Sequence, residues 1–285
     1  MSFRYKGRRY RLRPLPIFLL FLIIMGICIW LVKGLVGLIR GDDPTGTSSA
    51  GSSAPSSQPV KPTGGDPSSS DSSDVSSDPY GDLPEGKLSD WNLILLNHEE
   101  DNKIDGELDF EKVKFDTQYV DSRAGEAYKA MADAAKQEGV TLYLRSGYRS
   151  ISEQQTNYNA NVQREINRGN SKEEAVRLTN LYYTVPGHSE HHSGLAFDII
   201  TPEYHNDVYS LDERFADTDA YRWLTEHCTE YGFVLRYPKD KTALTQINFE
   251  PWHYRYVGKE HAAYMKKHGL VLEEYIALLK RAGRE

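Results

Sequence analysis

The chain has 285 residues, of which 41 are acidic and 34 basic, giving a formal net charge of −7 at neutral pH. Eight of the basic side chains fall in the first 40 residues, which hold no acid, so the remainder carries 26 basic against 41 acidic groups, a net of −15. Such a balance leaves no basic footprint for a nucleic acid, and two cysteines, Cys28 and Cys228, are too few for a disulfide framework.

Residues 1–14 hold six of those cations and read as a cytoplasmic basic tail. Residues 17–32 carry no charge, and the apolar run continues past Lys33 to Ile39. Residues 15–39 are therefore long enough to cross a bilayer as a helix if Lys33 extends its ammonium to the interface. The positive-inside bias then leaves the amino terminus in the cytoplasm and everything after residue 39 outside. A cleaved signal peptide is the alternative. The run is long for one, and no small-x-small site follows, which favours an uncleaved signal anchor. Residues 40–79 read as a disordered linker: between 41 and 79 there are 13 Ser, 6 Pro and 5 Gly and almost nothing apolar to offset ordering entropy. Its mean reach is about 35 Å and its extended reach about 130 Å, the span of a flexible tether or equally of a plain spacer.

Residues 80–285 are enough for one domain with a real core. Residues 91–97 read as a short strand, and a polar, acidic stretch follows to Phe115. Asp121 or Ser122 caps a helix whose apolar positions Ala124, Ala127, Tyr128, Met131 and Ala135 recur at helical spacing, and Gly139 ends it. Residues 140–144 form a strand that delivers residues 145–150 at its end. Ser150 with Glu153 is a capping-box pattern for a helix to about Arg168, and Ser171 with Glu174 repeats it for a helix to about Tyr183. Further helices are expected near 218–231, 259–268 and 271–282, with strands at 195–200, 233–237 and 252–257. Helices and strands mix without βαβ alternation, so the fold class is α+β. Cys228 reads as a small buried residue.

Two stretches carry chemistry. Residues 186–198 offer His191 and Asp198, and Glu250-Pro251-Trp252-His253 offers His253 with Glu250 three residues before it. Two imidazoles and a carboxylate suffice as protein ligands for a catalytic zinc with an open fourth position, and a spare carboxylate is the general base of a metal-assisted hydrolase. His–Asp pairs also occur merely as hydrogen-bonded partners. Asp198, however, interrupts an apolar run, Leu195-Ala196-Phe197 before it and Ile199-Ile200 after, and a carboxylate buried there needs a counter-ion or a metal.

Taken in order, Ser146-Gly147-Tyr148-Arg149-Ser150 with Gln154, then Pro186-Gly187 to Ser189-Glu190-His191 and Gly194-Leu195-Ala196 to Asp198, then Arg236-Tyr237-Pro238-Lys239, then residues 250–258 resemble the VanY-type D-alanyl-D-alanine carboxypeptidases. These sit in a zinc-peptidase family that also includes L,D-carboxypeptidases. The resemblance covers roughly residues 91–279. It implies a small α+β fold shared with the hedgehog signalling domain, one Zn2+, and the D-alanine-terminated stem peptide of peptidoglycan as substrate. It also implies that His191, Asp198 and His253 hold the zinc, Glu250 is the base, Arg149 stabilises the oxyanion, and Ser189 and Gln154 line the substrate site. For Arg149 the plain alternative is a surface salt bridge; Trp252 reads equally as core or pocket wall. Two positions depart from the pattern: His192 stands where Gln or another polar residue is usual, and His188 where Tyr or Thr is.

Three functions follow: a D,D-carboxypeptidase trimming pentapeptide stems, an L,D-carboxypeptidase acting on tetrapeptide stems, or a wall-binding module that keeps zinc without catalysis. The intact Glu250 argues against the third.

Overall fold

The structure is a computed structural model, describing residues 81–207 and 211–285 together with the backbone of an amino-terminal hairpin, β1 (Ser2–Tyr5) and β2 (Arg8–Arg11). The chain divides into two compact units, residues 1–70 and 71–285. Residues 15–39, expected to form the membrane anchor, and 40–79, expected to form the linker, lie outside the described residues. Among the described residues no helix is long and apolar enough to cross a membrane.

The second unit is α+β. Its first strands, β3 (Lys112–Phe115) and β4 (Gln118–Asp121), make a hairpin that begins inside the stretch read as polar and acidic and runs past its end at Phe115. Asp116 at its turn has φ 50°, and its Oδ2 accepts from the Leu144 amide at 3.0 Å, fastening the hairpin to the main sheet. Asp121 then caps α1 (Ser122–Gln137) by accepting from the Arg123 amide, and Gly139 at φ +83° ends it. β5 (Tyr143–Ser146) begins three residues later than expected. The capping box of Ser150 and Glu153 starts α2 (Ile151–Asn167) as its sequence pattern requires. After it, α3 (Lys172–Asn180) stops short of Tyr183, because the Leu181 carbonyl accepts from the Asn248 amide instead of from a further turn.

β6 (Ala196–Ile200), α4 (Pro202–Asp207), α5 (Asp219–His227), β7 (Phe233–Leu235), α6 (Thr242–Thr245), β8 (His253–Tyr256), α7 (Lys259–His268) and α8 (Leu272–Arg281) complete the unit. The main sheet has the order β5-β6-β8-β7, antiparallel throughout. Two cores flank it. Tyr128, Met131 and Ala135 of α1 and Trp223 and Leu224 of α5 pack with Phe197, Ile199 and Phe233 of the sheet. Leu272, Tyr275, Ile276 and Leu279 of α8 pack with Val234, Val257 and Leu93. Cys228 is buried among the first set, and burial pushes its thiol up to about 12.

Residues 91–97 correct the sequence reading: they form no strand. Their carbonyls are met by a side chain instead, Arg255 Nη2 donating to Asn92 O at 3.1 Å and Ile94 O at 2.6 Å. An apolar run with its acceptors already satisfied needs no neighbouring strand.

Candidate metal centre and active site

Sheet alternation sets the site. Phe197 turns inward against Tyr128 and Phe233, with ring centroids 5.4 and 5.0 Å apart, so Asp198 faces the other side. β8 lies beside β6 with Asp198 opposite His253, which places the two side chains together on that face. His191 arrives from a 3-10 turn, Glu190–Ser193, that ends on Gly194 at φ 70°. A side chain at Gly194 would press within 2.6 Å of the Phe110 ring.

His191 Nδ1 lies 2.6 Å from the Gly147 carbonyl. A carbonyl only accepts, so Nδ1 carries the proton and Nε2 keeps its lone pair, 3.5 Å from Asp198 Oδ2. His253 presents Nδ1, 3.2 Å from Asp198 Oδ1 and 3.4 Å from Glu250 Oε2. One ligand atom from each of His191, Asp198 and His253 lies within 4.8 Å of the others, and all three residues are buried. Asp198 Oδ1 is buried without a hydrogen-bonding partner. An orphaned carboxylate oxygen facing two imidazoles suits a cation, and an N,N,O donor set suits zinc.

The charges agree. Burial alone would push His253 down, but Asp198, Glu190 and Glu250 reverse this and hold its proton well above the usual range. The locus thus attracts positive charge. His191, held mainly by burial, is pushed down to about 3 and stays neutral, as a ligand must. Burial pushes the Glu250 carboxyl up, against the pull of His253.

The other expected site residues converge on the same cleft, which encloses about 1560 Å³. Arg149 is no surface salt bridge: its Nη1 donates to Gln154 Oε1 at 2.7 Å and its Nη2 to Ser146 Oγ at 3.0 Å. Gln154 is fully buried and donates in turn to the Thr184 carbonyl at 2.6 Å. Ser189 lines the cleft, and Trp252 both lines it and belongs to the first core. Neither unusual histidine is among the grouped ligands. His188 Nδ1 faces the Asn97 carbonyl at 2.6 Å, while His192 accepts from the Gly187 amide through Nε2 and donates to the Arg149 carbonyl through Nδ1 at 2.7 Å.

Residues to which the sequence reading assigned no role lie behind the ligands. Glu190 Oε2 faces His253 Nε2, and Glu190 Oε1 accepts from Arg236 Nε and Arg255 Nη1, each at 2.8 Å. Arg236 also makes a two-bond pair with Glu273 of α8. Burial would raise Glu190, but the two guanidinium groups hold its carboxyl well below the usual range. Tyr183 is a further wall of the cleft, its hydroxyl raised by burial and by the nearby Glu250 charge. One signal for the Glu190 group was present: charged residues within stretches that otherwise read as buried.

A family model for VanY, the D-alanyl-D-alanine carboxypeptidases, matches residues 117–259. The chain belongs to the VanY family. It is 36% identical over 193 residues to a D-alanyl-D-alanine carboxypeptidase of Enterococcus faecalis, covering 67% of this chain and 68% of that one. It is 38% identical over 177 residues to the putative carboxypeptidase YodJ of Bacillus subtilis, covering 62% of this chain and 60% of YodJ. Among solved structures it is similar to VanYB in complex with D-alanine-D-alanine, with 36% identity, a TM-score of 0.59, and 66% of this chain and 98% of that one covered. A Zn(II) complex of a mutant vancomycin-resistance D,D-pentapeptidase VanY gives a TM-score of 0.58 at 36% identity, over 66% and 99% of the two chains. The LdcB LD-carboxypeptidase gives 0.52 at 34% identity, over 66% and 86%. This VanY-family chain is accordingly a zinc carboxypeptidase with its candidate ligands grouped in the cleft.

Proposed function

We propose that the protein is a D,D-carboxypeptidase that removes the terminal D-alanine from peptidoglycan stem peptides. The observation that carries this reading is Glu250, a buried carboxyl 3.4 Å from His253 Nδ1 at the edge of the ligand group. A site that only held zinc would gain nothing from burying it. The cleft volume exceeds the roughly 300–1,000 Å³ of ordinary small-molecule pockets, as an extended peptide requires.

His191, Asp198 and His253 would hold the zinc, which when bound polarises the scissile carbonyl and lowers the pKa of a water toward ~7. Glu250, its basicity raised by burial, takes the proton of the attacking water. Arg149, fixed by Gln154 and Ser146, offers its guanidinium to the oxygen on which charge develops. As the carbon–nitrogen bond breaks, Glu250 passes its proton to the departing D-alanine amine, and the carboxylate is restored. Ser189 lines the path of the peptide, Gln154 acts on it only through the Arg149 that it holds, and Trp252 closes the wall.

An L,D-carboxypeptidase is the second reading, favoured by the likeness to LdcB at 34% identity. An equimolar mixture of pentapeptide and tetrapeptide stems given to the zinc-loaded protein, with products weighed by mass spectrometry, separates the two. Loss of one alanine from pentapeptide alone makes it a D,D-enzyme, and tripeptide formed directly from tetrapeptide makes it an L,D-enzyme. If wild type and Glu250→Ala are equally inert on both, the carboxypeptidase reading falls and a wall-binding module replaces it.

We also propose that residues 15–39 anchor the enzyme as a single-pass helix, with the amino terminus cytoplasmic and the peptidase domain, residues 80–285, outside on the tether of residues 40–79. The charge asymmetry of the first 40 residues supports this orientation. Protease added to intact cells should remove the peptidase domain and leave the amino terminus protected; protection of both would refute the orientation.

A further inference from the structure

Arg145 lies in β5 next to the catalytic row. Leu144 pairs with Ile199 and Ser146 with Asp198, so two steps along β5 match one step along β6. Arg145 is the extra residue of a β-bulge. Bulges leave a residue unpaired in the ladder and re-aim its side chain, and they are frequent beside active sites. Here the half-buried Arg145 lines the cleft that holds Arg149, Asp198 and Glu250.

Its electrostatic situation differs from that of its neighbours. On the same cleft Arg214 is paired with Asp212 and Arg168 with Glu165, while Arg149 is held by Gln154 and Ser146. Arg145 has no hydrogen bond or ion pair to any of the described residues. A guanidinium part-withdrawn from water without a counter-charge is costly, and its planar fork is shaped for a carboxylate. A second cation is also redundant for the reacting group, which Arg149 already serves.

We infer that Arg145 is a specificity determinant that binds a second carboxylate of the substrate, one carried on the acyl side of the scissile bond. This rests on the carboxypeptidase reading above and names the kind of stem peptide preferred. Ser146 sits opposite a metal-ligand candidate, so Arg145 lies one residue from that row and reaches a group within a few residues of the bond cut. Two carboxylates in stem peptides meet that requirement: the α-carboxylate of a γ-linked glutamate and the side-chain carboxylate of a diaminopimelate. Amidation removes the charge from either.

The test compares kcat/KM of the full-length, zinc-loaded protein on four pentapeptides, with the glutamate α-carboxylate free or amidated and the third residue diaminopimelate or lysine. Wild type should prefer a free carboxylate at one of the two positions by roughly ten- to a hundred-fold, mostly in KM, as a charge-assisted pair warrants. The position that shows the preference identifies the source. Arg145→Gln should bring that ratio to about one, and Arg145→Lys should keep part of it, which a generally misfolded variant would not do. Equal rates on all four substrates, or an unchanged ratio in Arg145→Gln, would overturn the assignment while leaving the carboxypeptidase reading intact. No cleavage of any of these pentapeptides would instead overturn the D,D-carboxypeptidase reading, and the Arg145 assignment with it.

Discussion

Glu190 Oε2 stands 3.5 Å from His253 Nε2, on the opposite edge of the imidazole from Asp198 and Glu250. Both atoms are buried, and neither has a hydrogen-bonding partner at closer range. Metal-ligating histidines commonly hand their second N–H to such a carboxylate, and losing it typically costs 10–100-fold in metal affinity. Glu190→Gln should therefore weaken zinc by about that factor in a chelator competition. It should also lower stability by about 3–5 kcal/mol in urea unfolding, since Arg236 and Arg255 lose their shared buried counter-charge. Unchanged zinc affinity would reduce Glu190 to a purely structural role.

Glu250 gives a prediction with a definite sign. Burial raises its folded pKa above the unfolded value, so the folded state binds this proton more tightly. The associated stability is complete below the ordinary carboxylate range, near 4.3, and is lost as pH rises through the raised folded value. In the zinc-free protein, Glu250→Gln should be more stable than wild type at pH 7.5, and the gap should close by about pH 4. The same variant should bind one zinc and turn nothing over. A variant less stable than wild type at pH 7.5 would contradict the burial argument.

For Arg149 the expected loss is about 10²–10³ in kcat on substitution by alanine, the scale of a lost oxyanion donor. Gln154→Leu, which removes the acceptor of Arg149 Nη1, should reproduce part of that loss without touching the ligands. An Arg149→Ala enzyme with wild-type kcat would sink the role.

His192 links the Gly187 amide to the Arg149 carbonyl, one acceptor and one donor on a single ring. Glutamine can supply the same pair, so His192→Gln should be nearly neutral. His192→Leu leaves the buried Gly187 amide unmet, at about 1–3 kcal/mol, and the part-buried Arg149 carbonyl at less. Urea midpoints of the two variants should separate accordingly; equal midpoints would show that the links contribute nothing.

Much of this was legible before any coordinates. Capping patterns at Ser150 and Asp121 are local, and local rules placed α1 and α2 within a residue or two. His191, Asp198, His253 and Glu250 were singled out by the ordered motifs that resemble the VanY type, whereas their spacing alone left a plain hydrogen-bonded pair open; the structure brings His191, Asp198 and His253 together. The misreadings came from long-range partners. Residues 91–97 have a strand's composition, but Arg255, more than 160 positions away, takes their carbonyls. The hairpin at β3 and β4 is short, only four residues a strand; Val113, Phe115 and Val120 pack it on the first core, and Asp116 fastens its turn to Leu144. Glu190, Arg236 and Arg255 stood within the motifs without a role of their own, because only the fold brings them and His253 together.

The pairing of Asp198 with His253 across β6 and β8 also bears on how the protein folds. A slip of one residue along that pair would turn one of the two toward the core and dismantle the ligand group. A sheet slipped by one residue would then lack the ligand group, so zinc binding is expected to follow that strand pairing. Zinc should accordingly lengthen the lifetime of the native state while leaving its rate of formation almost unchanged. The metal would then act as a latch on a finished sheet.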